Sequence, residues 1–323
     1  MLLINISIFS LIIVACGGSD NEPLKVYSTN NQEEMDEFVK AIEEGTGIKL
    51  DVLTLSTGEA WNRIQSEAPN IGADMQIGMM EGNALKAKRE DYLMEYESDH
   101  WEDIPDEYKD PNNKWFGTSF WYNMLIINKD IFEEKGLDVP KSWMDLLEPQ
   151  YEGEIILPDP GTAGTAYLFV SSILQTFGEE EGWRYLEKLD NNVGQYTKSG
   201  SDASLKVAQG EYAIGIDWDE PIKGFIDEGY PVESIIPSEG VGYNLDVSWI
   251  FKDAKQPDKA KKVLDYMGTE EFMEIVAQER SMVTRPGITD DSNIEENFID
   301  YDAEKASDEQ DNIMEKWREG FSE

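Results

Sequence analysis

The 323-residue chain has one cysteine, Cys16, and one histidine, His100. That scarcity excludes an intrachain disulfide, most zinc-finger sites, thiol redox pairs and most triad chemistry, all of which need more of these side chains. Positive charge is scarce as well. Lys plus Arg number 27 against 67 Asp plus Glu, a formal net charge of −40. A surface that negative repels phosphate backbones and anionic lipid, so nucleic acid is not a partner. The apolar stretch Met1–Ala15 falls short of the roughly twenty residues a membrane-spanning helix needs. What is present is apolar bulk: 40% hydrophobic residues, nine Trp and twelve Phe exclude a fully disordered chain. The length suffices for two ordinary domains or one large one.

Met1–Ala15 carries no charge and ends at Val14-Ala15-Cys16, followed by Gly17, Gly18, Ser19 and Asp20. The run has the length of a signal-peptide apolar core. A thiol behind a small residue, with small residues after it, resembles the bacterial lipobox, although the segment before it lacks Lys and Arg. The reading is a signal peptide over 1–15, a lipid on Cys16, and a small, polar, Pro-ended tether over 16–23. The alternative is a buried Cys after an N-terminal strand.

From residue 24 onward, strand and helix patterns alternate. LKVYS (24–28), IKLDVL (48–53) and DMQIG (74–78) read as strands, with helices following each. Met35, Phe38, Val39 and Ile42 share one helical face, and Ser142 to Asp145 has the form of a capping box opening another helix. Strands recur at 154–160, 193–196 and 212–216, and a final helix has Ile313 and Trp317 as apolar anchors. The alternation predicts parallel βαβ units. Two longer β-rich runs, near 118–127 and 243–251, bracket a block with its own strands and helices. Hence the expected organisation is two α/β lobes joined by a two-strand hinge, with a cleft between them. Lobe 1 is 24–120 plus 245–323, and lobe 2 is 121–244.

The string VPKSWMDLLEPQYEGEIILPDPGTAGTAY (139–167) is similar to solute-binding proteins of ABC importers, in the ferric-iron and phosphonate branch. QYTKSGS (195–201), AQGEYAIGI (208–216), the stretch 229–267 and SMVTRPGI (281–288) fit the same pattern. The likeness runs from Leu24 to Ile288, and the 2-aminoethylphosphonate binders are the branch most resembled. The resemblance implies a periplasmic-binding-protein type II fold and hinge closure on a small solute. It also implies delivery to an ABC permease, export with a membrane anchor, and no cofactor.

In open α/β sheets, ligands sit beyond the carboxyl ends of strands. That rule selects Ser28, Thr29, Ser56, Thr57 and Met80 on one side. On the other it selects Thr162, Gly164, Thr165, Ser199, Ser201, Asp217 and Trp218. Trp121, Tyr122 and Tyr243 lie on the hinge runs, where rings commonly wall a cleft. Glycines, hydroxyls and a helix start at 161–165 suit an anion, and the resemblance makes this the anion-contacting loop. Plain helix capping by the same Ser and Thr is the alternative. Asp217, Trp218, Asp219 and Glu220 would meet an ammonium, with most weight on Asp217 and Trp218. Lys198 is the basic residue beside a candidate loop, and Arg63 is a further one from lobe 1.

The ligand expected is therefore a small phosphonate, phosphorylated or zwitterionic solute. The runner-up is a cation: ferric iron, a polyamine or a thiamine-like amine. Iron is weakened by the lack of a Tyr-Tyr pair, since Tyr167 and Tyr196 stand alone. A glycosidase working through two carboxylates is arithmetically open, but nothing distinguishes a pair among 67 acids. A third class, diffuse calcium binding by an acidic surface, predicts many weak sites and no single cleft ligand. The acidic balance also suggests a salty medium. Its self-repulsion should be screened by salt, so denaturant midpoints are expected to rise from low to molar NaCl. A midpoint that stays constant across that series would remove the salt-adaptation reading.

Overall fold

The computed structural model describes residues 22–289, 294 and 296–321, so the signal and Cys16 readings lie outside the described residues. The first half alternates β1 (Leu24–Ser28), α1 (Gln32–Thr46), β2 (Leu50–Thr54), α2 (Thr57–Glu67), β3 (Met75–Met80) and α3 (Glu81–Arg89). β1 lies between β2 and β3 and is parallel to both. The local reasons are visible in the sequence. Asn31 caps α1 by accepting from the Glu34 N–H at 2.9 Å, and Met35, Phe38 and Ile42 bury one face. Ser56 and Glu59 form a reciprocal capping box at the start of α2.

Next comes β4 (Phe116–Asn128), thirteen residues that are all buried. The chain then builds α4 (Lys129–Lys135), β5 (Ile155–Pro158), α5 (Gly164–Phe177), α6 (Glu179–Asp190) and β6 (Val193–Thr197). It continues through α7 (Asp202–Ala208), β7 (Ile214–Trp218), α8 (Asp219–Asp227) and β8 (Val232–Ile235). β9 (Tyr243–Ile250) returns to the first half, followed by α9 (Pro257–Met267), α10 (Glu270–Glu279) and β10 (Met282–Val283). Ser142 and Asp145 do bond reciprocally, but only a 3₁₀ turn, Met144–Leu147, follows. Pro149 has no N–H to extend it, which corrects the expected helix.

The sheet order is β2-β1-β3-β9-β4-β7-β5-β6, with β8 and β10 also paired to β4. β4 divides its partners along its length. Residues 116–122 pair antiparallel with β9, whereas 123–128 pair with β7 and β8. A single strand therefore belongs to both α/β lobes, and β9 runs beside it as the second connection. This is the two-lobed α/β architecture with a two-strand hinge.

The last helix, Ala303–Phe321, sits astride the two lobes. Toward β6 and α6 it is apolar: Trp317 meets Tyr196 edge-on, and Phe321 lies beside Trp183. Toward α3 it is polar: Asp308 pairs with Arg89 at 2.7 Å, and Gln310 accepts from Lys86 at 2.5 Å. Ile313 and Trp317 are buried, as the expected anchors require.

Candidate functional site

A cavity of about 700 Å³ lies where the two lobes face each other. One wall is built at the ends of β1, β2 and β3. Thr29 and Asn30 follow β1, Ser56, Thr57 and Gly58 open α2, and Met80 closes β3. Gly78 adopts φ +62°, and a Cβ there would fall 1.5 Å from Asn30 Oδ1. Only glycine leaves room for the Asn30 amide, while its carbonyl accepts from the Thr29 hydroxyl.

The facing wall is the turn 160–165 with the start of α5, and the loop Ser199–Ser201. Asp159 folds this turn, its carboxylate accepting from the Gly161 N–H at 2.6 Å. Ala163, the residue before α5, has no side-chain oxygen, so no side chain caps the helix. The first N–H groups of a helix have no acceptor within it. The Thr165 hydroxyl is buried without a hydrogen-bond partner. It lies against Gly200, where a Cβ would come within 2.8 Å of it. Met80 reaches across from the first wall: a Cβ on Gly164 would sit 2.6 Å from its sulfur.

The base is formed by the hinge strands. Trp121 pairs with Asn244 across β4 and β9, and both line the cavity with Asp246, Trp218 and Arg280. Arg280 donates to both Glu34 carboxylate oxygens, at 2.7 and 2.8 Å, and to Glu220 at 3.0 Å. It lies 3.4 Å from Asp246 and stacks over the Trp218 ring. Tyr301, Ala306, Ser307 and Gln310 complete the enclosure from the C-terminal segment, with Lys86 beside Gln310.

Of the sequence-predicted residues, Thr29, Ser56, Thr57, Met80, Trp121, Thr162, Gly164, Thr165, Ser199, Ser201 and Trp218 line this cavity. Three do not. Ser28 is fully buried behind the wall, its hydroxyl accepting from the Asn30 N–H. Asp217 is fully buried beneath α7, accepting from the N–H groups of Ser204 and Trp218 at 3.0 and 2.9 Å. Strand alternation turns it away from the Trp218 side. Tyr243 packs on Phe298 and Phe120, on the face of β9 opposite Asn244.

Asp219 is likewise buried, accepting from the Tyr122 N–H, and Tyr122 packs on Phe298. Arg63 is held by Tyr27 and Glu67, and neither it nor Lys198 lines the cavity. The capping alternative holds at Ser56 and fails at Ser201, which makes no side-chain cap because Asp217 caps α7 instead. The loop after β1 that the strand-end rule selects also brings Asn30 to the cavity, whereas sequence reasoning missed Lys86, Asn244, Asp246 and Arg280. Asn244, Asp246 and Ser248, alternating with Leu245, Val247 and Trp249 along one strand, were the available signal. Arg280 had none.

Residues 67–309 match the family model for bacterial extracellular solute-binding proteins. An uncharacterised protein of Haemophilus influenzae is 29% identical over 322 residues, 94% of this chain and 92% of that one. A probable ABC transporter periplasmic-binding protein, y4fP, of Sinorhizobium fredii is 24% identical, covering 82% and 74%. Among solved structures, the periplasmic binding protein AfuA from Actinobacillus pleuropneumoniae, with fructose-6-phosphate bound, superposes with a TM-score of 0.84. It is 27% identical, covering 92% of this chain and 98% of AfuA.

Burial dominates the titration behaviour around the site. It raises Asp217 to about 7 and Asp219 to about 6, against the opposing pull of the N–H groups they accept from. Burial alone would lower Arg280, but Asp246, Glu34 and Glu220 outweigh it and raise it further. Both aspartates hold protons more tightly folded than unfolded, where the usual value is 3.8. Their contribution to stability is therefore complete below about pH 4 and is lost as pH rises through about 6 to 7. The melting temperature should fall over that interval, and the Asp217→Asn variant should show a shallower slope. Equal slopes in the two proteins would refute the assignment to Asp217.

Proposed function

This chain belongs to the bacterial extracellular solute-binding proteins, the exported receptors of ABC importers, and we propose that its solute is a small phosphonate or phosphorylated molecule. The observation that carries this reading is the buried, unpartnered Thr165 hydroxyl at the uncapped start of α5. A buried polar group without a partner costs about 1–3 kcal/mol, and an anion seated there would supply the acceptor. The free N–H groups of the same turn carry the positive end of the helix dipole. Thr162, Ser199 and Ser201 add hydroxyls from the same wall. The fructose-6-phosphate in AfuA is in keeping with such an anion.

The solute is captured by closure about β4 and β9, with the lobes parted at 120/121 and 244/245, and is released unchanged to the permease. A ferric ligand is disfavoured by the cavity phenols. Tyr167 donates to the Ala306 carbonyl and Tyr301 shares a 2.7 Å hydrogen bond with Ser171, while burial drives both phenol pKa values upward. A polyamine remains the second reading, favoured by the carboxylates around Arg280.

No helix among the described residues is long and apolar enough to cross a membrane. Membrane attachment is assigned to a lipid on Cys16. Replacing Cys16 by Ser should move the exported protein from the membrane fraction to the soluble one; unchanged fractionation would remove the anchor.

The test of the ligand is thermal stabilisation by 2-aminoethylphosphonate, fructose 6-phosphate and inorganic phosphate. A ligand at about a hundred times its Kd stabilises by roughly 2.7 kcal/mol. At least one of the three should do so, and be recovered intact. Thr165→Val should weaken that ligand about tenfold, the worth of one charge-assisted hydrogen bond. Stabilisation by spermidine alone, or unaltered affinity in the variant, would overturn the anion reading.

A further inference from the structure

The donors and acceptors that line the cavity come from different elements. Hydroxyls belong to the loops before α5 and α7 and to the start of α2, and uncapped helix-start N–H groups to α5. The hinge strands supply the opposite kind of group. Asn244 donates its Nδ2 to the Leu245 carbonyl at 2.7 Å, which leaves its Oδ1 as the group free to accept. Asp246 accepts from Trp121 Nε1 at 3.1 Å and from the Ser119 hydroxyl at 3.4 Å, and it faces Arg280. An ionised carboxylate has about four acceptor sites, so Asp246 retains capacity.

Arg280 cannot offset this. Glu34 takes two of its N–H groups and Glu220 a third, while Asp246 lies 3.4 Å from Nη2. One guanidinium meets the three carboxyl groups of Glu34, Glu220 and Asp246; burial raises Glu34 and lifts Glu220 to about 8, so Glu220 keeps its proton near neutral pH and the cluster offers more acceptor oxygens than net charge. Although Arg280 lines the cavity, three of its five N–H donors are taken by Glu34 and Glu220 and its Nη2 also faces Asp246, so the base it stands in is acceptor-rich.

We propose that Asp246 and Asn244 are the residues that set specificity, selecting an anionic solute whose tail ends in a hydrogen-bond donor, an ammonium or a hydroxyl. This rests on the anion reading above and adds the chemistry of the other end of the solute. A tail without a donor leaves these acceptors desolvated and unpaired, a penalty that polar sites use to reject analogues.

An isosteric series tests it directly. Calorimetric titration would compare 2-aminoethylphosphonate, 2-hydroxyethylphosphonate and ethylphosphonate, with spermidine as the cation alone. The unaltered protein should bind one of the first two at least tenfold more tightly than ethylphosphonate. Asp246→Asn should reduce that ratio, with the largest effect on the ammonium compound. Asn244→Ala, which does not touch the Arg280 cluster, should also reduce it and covers the case in which Asp246→Asn fails to fold. Equal binding of all three phosphonates, or a ratio unchanged in Asn244→Ala, overturns the selection by the base and spares the anion reading. Binding of spermidine without any phosphonate, fructose 6-phosphate or inorganic phosphate overturns the anion reading and spares the acceptor base. Binding of none of the four overturns the selection by the base, and failure of fructose 6-phosphate and inorganic phosphate as well overturns the anion reading.

Discussion

The antiparallel register between β4 and β9 governs most of what the molecule can do. Trp121 stands opposite Asn244, and Tyr122 opposite Tyr243. Because side chains alternate, this pairing puts Trp121, Asn244 and Asp246 on the cavity side and both tyrosines on the other. A slip of one residue would exchange the two sets and line the cavity with phenol rings. The tyrosine face is locked by packing on Phe298 and Phe120, so the polar face is held in place by its apolar reverse.

The same strand explains which parts of the architecture were legible in the sequence. β4 is apolar or aromatic along most of its length because both of its faces are covered, and that produced a long run visible without a structure. The βα units were legible from periodicity, and their loops led to ten cavity residues through the strand-end rule, with Trp121 reached from the hinge run. The errors have a common source. A strand end selects Asp217 and a hinge run selects Tyr243, yet the side of the strand depends on pairing register, which a single sequence does not display. Ser28 failed for the same reason, being turned inward at the end of β1. Arg280 enters the site from the far end of α10, through tertiary contacts with residues up to 246 positions away. No local pattern encodes that.

The distribution of charge around the cavity is unusual for a receptor assigned an anionic solute. The cations that line it, Lys86 and Arg280, are each engaged by protein acceptors. On the anion reading proposed above, recognition falls to neutral donors: hydroxyls and backbone N–H groups. Neutral donors lose less hydration on closure than a free guanidinium would, and they do not draw the acidic remainder of the surface into the cleft.

The place of β9 between β3 and β4 also dictates an order of assembly. β3 and β4 are separated in the sheet by a strand whose residues follow them by more than a hundred positions. A nascent or partly translocated chain ending before residue 243 has both neighbours but not the strand between them. Closing that gap brings together distant segments, the kind of pairing that slows folding. The cavity then waits for Ala306 and Gln310, close to the end of the chain. A chain that has not reached residue 301 thus has its cleft walls without the segment that encloses them.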